Sequence, residues 1–267
     1  EFIEKNTQVF KYNDLKLYDH QQRLFESVKR DKSKLILYQA PTGTGKTMSP
    51  VGLAKGKKVI FTCAAKHIGL QLAKACISME IKIAVAFGCN DPNDIRLHYF
   101  AAKDIVRNKY TGQIFRVDNS NGEKVELIIT DIQSFLPAMN YMLAFNNPED
   151  MVWYWDEPTI TLDYDQHEFH GILKKNWQEN EIPNVVLSSA TLPNMDDILP
   201  MTKSFQTKFK TNNIEEIISY ECKKSIPILD ANGNIIMPHY IYSDYKSLKK
   251  CARHIEKNKT ILRHIDV

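Results

Sequence analysis

Six short apolar runs, at 35–38, 59–61, 81–87, 125–129, 151–155 and 185–187, recur along this chain with longer, more polar stretches between them. Each run is rich in β-branched or aromatic residues and hardly alternates, which is how a strand buried on both faces reads. The stretches at 17–30, 46–55, 67–79 and 94–108 carry apolar residues at helical spacing. Strand and helix therefore alternate, and the pattern predicts a doubly wound α/β domain, a mostly parallel sheet with helices on both faces. Asn-Gly pairs within 118–122 and 230–234 predict two surface hairpins, the second appended beyond the last core strand. The domain is expected to span 1–237, with 238–267 a linker or the first element of an incomplete second domain.

Composition narrows the class. The 267 residues are 43% hydrophobic and 25% charged, the balance of a soluble globular protein. Neither a membrane-spanning run nor a signal-peptide pattern is present, and the five scattered cysteines form no close metal-binding pair or dense disulfide framework, so an intracellular, reduced chain is expected. The net charge of +3 neither demands nor excludes a polyanion. The chain starts at Glu1 rather than Met and is expected to be part of a longer protein.

Chemistry enters after the run at 35–38, where Ala40-Pro41-Thr42-Gly43-Thr44-Gly45-Lys46-Thr47 leads into a helix. Strand, glycine loop and helix make up the context of a phosphate-binding loop. Its glycines let backbone N–H groups turn toward a phosphate, Lys46 reaches the β and γ phosphates, and the Thr47 hydroxyl suits Mg²⁺. Pro50 lies past the first turn if the helix starts at Gly45, which predicts a late start or a kink. At the end of the run at 151–155 stand Asp156-Glu157-Pro158-Thr159. Ligands gather at the carboxyl ends of such strands. Two adjacent acids there can divide the work, Asp156 holding Mg²⁺ and Glu157 aligning the attacking water.

One strand later come Ser189-Ala190-Thr191. Over about residues 15–200 this ordered set resembles the superfamily 2 helicases and translocases: motif I at 40–47, motif II at 156–159 and motif III at 189–191. The resemblance implies a RecA-like P-loop NTPase domain, binding of ATP with Mg²⁺, an adenine contact from Gln21 (with Gln22 as the alternative), hydrolysis through Lys46, Asp156 and Glu157, and coupling to strand movement through Ser189, Ala190 and Thr191. Thr62-Cys63-Ala64-Ala65-Lys66 and Thr130-Asp131 stand where motifs Ia and Ib grip a nucleic-acid backbone, so Lys66 and Thr130 are the expected nucleic-acid contacts. Asp-Glu-Pro-Thr matches neither the DEAD nor the DEAH signature.

The leading expectation is thus the first motor domain of an ATP-dependent nucleic-acid helicase, partnered by single-stranded or duplex nucleic acid and by a second RecA-like domain in the same parent chain. No Gln-x-x-Gly-Arg-x-x-Arg segment of that second domain is present. A duplex translocase that does not unwind would share every motif, and a non-catalytic P-loop scaffold is the alternative from another class. His167 and His170, three apart, form a zinc lookalike without an evident third ligand. Trp153, Tyr154 and Trp155 are expected to pack in the core rather than to stack on bases.

Overall fold

A computed structural model describes residues 17–30, 33–160, 164, 166–193 and 195–220, with short pieces at 228–229, 235–237, 244–246, 249–250 and 253. One eight-stranded sheet organises it. In chain order its strands are β1 (Lys34–Gln39), β2 (Lys58–Cys63), β3 (Ile83–Ala86), β4 (Arg96–Leu97), β7 (Leu127–Asp131), β8 (Met151–Asp156), β9 (Asn184–Ser189) and β10 (Ile214–Ile218). Their order across the sheet is β10-β1-β9-β8-β2-β7-β3-β4. All pairings are parallel except that of β4 with β3. Seven strands therefore present their carboxyl ends along one edge.

Two apolar layers sandwich the sheet. Leu35, Leu37, Ile60, Trp153, Trp155 and Leu187 point to one face, where they meet Phe135, Met139, Leu173 and Phe205 of α4 (Phe135–Leu143), α5 (Phe169–Glu179) and α6 (Leu199–Phe209). Ile36, Tyr38, Phe61, Tyr154 and Val186 point to the other. They are covered by Leu24 and Val28 of α1 (Asp19–Arg30), Val51 of α2 (Ser49–Leu53) and Leu72 and Cys76 of α3 (Lys66–Ser78). Both faces being covered is the physical cause of the unalternating sequence. The tryptophans are core: Trp153 stacks on Phe135 at 4.0 Å and on Trp155 at 4.7 Å, and its indole N–H donates to Thr62 Oγ1 at 2.9 Å. Pro50 sits in the first turn of α2, which starts late behind a 3₁₀ turn at Lys46–Met48, so its missing N–H falls where a helix has no internal partner.

Three expectations need correction. The stretch at 94–108 is not a helix. Asp91 caps a 3₁₀ turn at Pro92–Asp94, the chain then pairs antiparallel to β3 as β4, and Ile105-Val106, β-branched at χ1, start strand β5 (Ile105–Arg107). β5 pairs with β6 (Ile114–Val117), and that hairpin turns through Gly112 at φ 68°.

Residues 118–122 are therefore a loop between β6 and β7 rather than a hairpin turn. Asp118 and Asn121 accept hydrogen bonds from the Ser120 and Glu123 amides, and Gly122 packs so close to Tyr141 that an added Cβ would lie 2.4 Å from its ring. Finally, Val185 to Leu187 is not the last core strand, because β10 adds a further parallel strand at the edge. Its run Ile-Glu-Glu-Ile-Ile lacks a continuous apolar core, as suits an edge strand. Beyond it, β11 (Ile228–Leu229) and β12 (Ile235–Met237) pair antiparallel, and the expected hairpin turn at 230–234 lies outside the described residues. The expected linker from 238 lies largely outside them too.

Candidate functional site

The carboxyl edge of the sheet gathers most of the residues singled out by sequence. β1 delivers the 40–47 loop, β8 delivers Asp156 and Glu157, and β9, lying between them, delivers Ser189. In the loop, Gly43 and Gly45 sit at φ 85° and 81°, a backbone region open to glycine, so here the sequence requires Gly. Ala40, Pro41 and Thr44 are buried beneath the turn, the Thr44 hydroxyl donating to the Pro41 carbonyl at 2.7 Å, while Thr42 and Gly43 are exposed at its crest.

Lys46 is folded inward, its ammonium donating to the carbonyl oxygens of Ala40 and Pro41. Burial pushes its pKa down, and the charges of Glu157 and Asp156 act in the opposite direction. Thr47 is half-buried beside it. Gln21 is buried against the loop. Its amide donates to the Gly45 carbonyl at 3.1 Å and its Oε1 accepts from the Tyr18 N–H, whereas Gln22 is exposed and pairs with Glu26. The structure thus places Gln21, not Gln22, at this edge.

Asp156 is buried at the end of β8. Burial first, and Glu157 second, lift its pKa to about 7 against the pull of Lys46. Glu157 has left the strand for φ 51°, a left-handed conformation unusual outside glycine. Two bonds hold it there: its N–H donates to the Ser188 carbonyl at 2.7 Å, and its carboxylate accepts from the Ser189 hydroxyl at 2.6 Å. The same Ser189 oxygen accepts from the Thr191 N–H at 3.1 Å. Ala190 and Thr191 lie at the surface beyond it. Strain of this kind persists where the surroundings over-determine it, and it concentrates at functional sites.

Sequence reasoning missed a brace. The Tyr154 hydroxyl, fully buried, donates to the Lys46 carbonyl at 2.8 Å and lies 2.9 Å from the Ser188 hydroxyl, tying β8, β9 and the phosphate loop together. The signal was available, since a buried tyrosine needs a partner for its hydroxyl.

The two expected nucleic-acid contacts part company. Lys66 is exposed at the start of α3, 3.7 Å from the Asp131 carboxylate. Thr130 is fully buried inside β7 and its hydroxyl donates to the Asp131 carbonyl, so no strand can reach it in this conformation. Asp131 shapes this corner instead, accepting from the N–H groups of Gly88 and Ser134 at 2.9 Å each. The lookalike at His167 is a local cap, its Nδ1 accepting from the Phe169 N–H.

The donor set suits a nucleotide and a divalent cation. Among the described residues, the hydrogen bonds of this buried ammonium go to neutral carbonyls of its own loop. Near it, a carboxyl group is driven toward protonation by its burial and, second, by a neighbouring acid. An anionic phosphate satisfies the first, and a cation relieves the second.

Among solved structures, the DEAD-box helicase Mss116, bound to single-stranded RNA and UDP-BeF, superposes with a TM-score of 0.51 at 12% identity over 95% of this chain and 50% of that one. A hypothetical ATP-dependent RNA helicase from Sulfolobus tokodaii gives 0.46 at 13% identity over 81% and 57%, and the Hef helicase domain of Pyrococcus furiosus 0.42 at 18% over 74% and 37%. No protein-family profile and no curated protein matches the sequence. The chain spans about half the length of the first two structures and less of the third. Its fold is that of a RecA-like helicase domain. Among the described residues no helix is long and apolar enough to cross a membrane.

Proposed function

We propose that this chain is the first motor domain of an ATP-dependent nucleic-acid helicase, with 1–237 as the RecA-like domain. The observation that carries the reading is the convergence of Lys46, Asp156, Glu157 and Ser189 at one edge of the sheet, across three neighbouring strands. In it, the loop N–H groups and Lys46 bind the phosphates, and Thr47 and Asp156 hold Mg²⁺. The bound Mg²⁺ would supply positive charge against the phosphate oxygens during transfer. Glu157 accepts a hydrogen bond from the attacking water, its carboxylate aimed by Ser189. Gln21 exchanges its Gly45 bond for the adenine edge.

Hydrolysis in this reading is completed by a second RecA-like domain of the parent protein, which would contribute arginines across the cleft. Such arginines are typically worth about 10³ to 10⁵ in rate, so residues 1–267 alone should bind nucleotide and turn it over slowly. Exposed Lys66 contributes to the grip on a strand through its charge, without reading bases.

Two substitutions test the assignment in the full-length protein. Lys46→Ala should abolish ATP binding measured by calorimetry, and a variant that binds and hydrolyses normally would sink it. Glu157→Gln should bind ATP as the parent does while turnover stops; joint loss of binding and rate would make Glu157 structural. Paired and unpaired strands offered to the parent then separate unwinding from translocation on duplex.

A further inference from the structure

The chain makes a second sheet that the nucleotide site does not use. β5 and β6 form a two-stranded hairpin outside the main sheet. It is inserted between β4 and β7. Because β4 runs antiparallel to β3, the chain returns to the amino edge, where the His98 N–H donates to the Ile83 carbonyl. The way back is pinned at the same edge by the Glu126 N–H on the Lys82 carbonyl, and the hairpin's base is closed by Asp118 N–H on the Asp104 carbonyl. The hairpin therefore hangs from the edge opposite Asp156 and Lys46.

Its composition is unusual for a solvent-exposed ribbon. From Lys103 to Asp118 at its base, the ribbon carries Lys103, Arg107, Lys109 and Arg116 against Asp104 and Asp118, a surplus of +2. Between these cations two aromatic rings stand in water, Tyr110 at the tip 98% exposed and Phe115 79% exposed, with Val106 half-exposed beside them. The strand register slips here, so that Phe115 is an extra residue between the pairs Val106–Arg116 and Arg107–Ile114. Such a slip re-aims side chains and is a built feature rather than a defect. Every residue of β5 is exposed, so core packing of that strand does not explain the slip.

We propose that this hairpin is a second, backbone-directed binding site for single-stranded nucleic acid, with Lys103, Lys109 and Arg116 on phosphates and Tyr110 and Phe115 stacked on bases. Cations interleaved with exposed aromatic rings are the chemistry of sequence-tolerant single-strand binding. Phosphates supply the charge that complements this ribbon, and the regularly spaced bases supply a flat face beside each of them. The inference rests on the helicase reading for its partner but not for its site, because the hairpin is remote from the nucleotide edge. It acts as an anchor, raising the affinity for a strand without taking part in hydrolysis.

The test uses the full-length protein with fluorescein-labelled 20-nucleotide oligo-U RNA and oligo-dT DNA. One variant combines Lys103→Gln, Lys109→Gln and Arg116→Gln. Arg107 is left in place because its guanidinium donates to the Gly112 carbonyl within the hairpin. A second variant combines Tyr110→Ala with Phe115→Ala. All five side chains are exposed, so folding should survive. By anisotropy, the charge variant should bind both strands about 10-fold more weakly, with a salt slope shallower by about 2, on the basis of about 0.7 per phosphate contact. The aromatic variant should lose about 10-fold with the slope unchanged. ATP hydrolysis should match the parent without strands and at saturating strand.

Parental affinity in either variant overturns the proposal while leaving the helicase reading intact. A parent that binds neither strand overturns both. Loss of strand-free hydrolysis would overturn the separation of hairpin from motor. A parent that sediments as a dimer, with a monomeric aromatic variant, would overturn the proposal in favour of a self-interface.

Discussion

The bond between Ser189 and Glu157 should be measurable as a coupling energy, and its size follows from where the two groups sit. Ser189 is fully buried, and its hydroxyl donates to the Glu157 carboxylate at 2.6 Å. A hydrogen bond to a charged group is worth about 1.5–3 kcal/mol, and the partial exposure of Glu157 draws the value to the lower end. Ser189→Ala should therefore destabilise the chain by about 1.5 kcal/mol. The lost acceptor for the Thr191 N–H adds little, because Thr191 is exposed and water replaces it. The matching change is Glu157→Ala rather than Glu157→Gly, since glycine would also release the backbone strain at φ 51° and contaminate the comparison. Urea unfolding of the parent, both single variants and the double variant, without nucleotide, gives the coupling, expected at about 1–2 kcal/mol. A value within about 0.3 kcal/mol of zero, the noise of additive sites, would mean that the short contact carries no energy. The kinetic counterpart is that Ser189→Ala slows turnover of the full-length protein, and parental turnover in that variant would place Ser189 outside the positioning of Glu157.

Gly45→Ala should cost about 1–2 kcal/mol in urea and weaken ATP binding, because φ is 81° and a new Cβ would stand 2.8 Å from the Gln21 amide nitrogen; unchanged stability would refute the close approach. Burial holds the pKa of Asp156 at about 7 in the fold, above its ordinary value, so the folded chain keeps a proton that the unfolded chain has lost. The stability this gives is complete below the unfolded value and fades as pH rises through about 7. Asp156→Asn in EDTA should remove roughly 2–3 kcal/mol of that fall between pH 5 and 8, and a variant with the parental slope would show the acid to be ordinary. Thr62→Val, although more apolar, should destabilise by about 1–3 kcal/mol by orphaning the Trp153 indole N–H, and a stabilised variant would contradict that account.

What could be read from sequence was what the backbone and the core dictate. The phosphate loop is legible because Gly43 and Gly45 must take positive φ, and the central strands because burial on both faces removes alternation. The stretch at 94–108 misled because helical spacing over short, mixed segments also arises by chance. There the Asp91 cap, Pro92 and the β-branched pair Ile105-Val106 decide locally. Gly122 misled for a different reason: its glycine answers a ring, Tyr141, that is distant in sequence. β10 was hidden because an edge strand with Glu215 and Glu216 in its middle need not be continuously apolar. One of these acids finds its partner in Ser27 of α1, again distant in sequence. Thr130 shows the limit of motif transfer, since a residue type in the right position was buried by the strand it sits on.

The arrangement of β8 explains how two sequence-distant segments can act together. Along Met151–Asp156, alternation sends Trp153 and Trp155 into one core layer and Tyr154 into the other. Tyr154 thereby arrives under the phosphate loop, and its hydroxyl holds the Lys46 carbonyl and meets Ser188, while the next residue in the strand but one is Asp156. Glu157 follows and is clasped by Ser189, the neighbour of Ser188 on β9. The phosphate loop and β9 thus share one buried hydroxyl, that of Tyr154, and β9 holds the Glu157 carboxylate through a second, that of Ser189, so a continuous chain of hydrogen bonds joins Lys46 to Glu157.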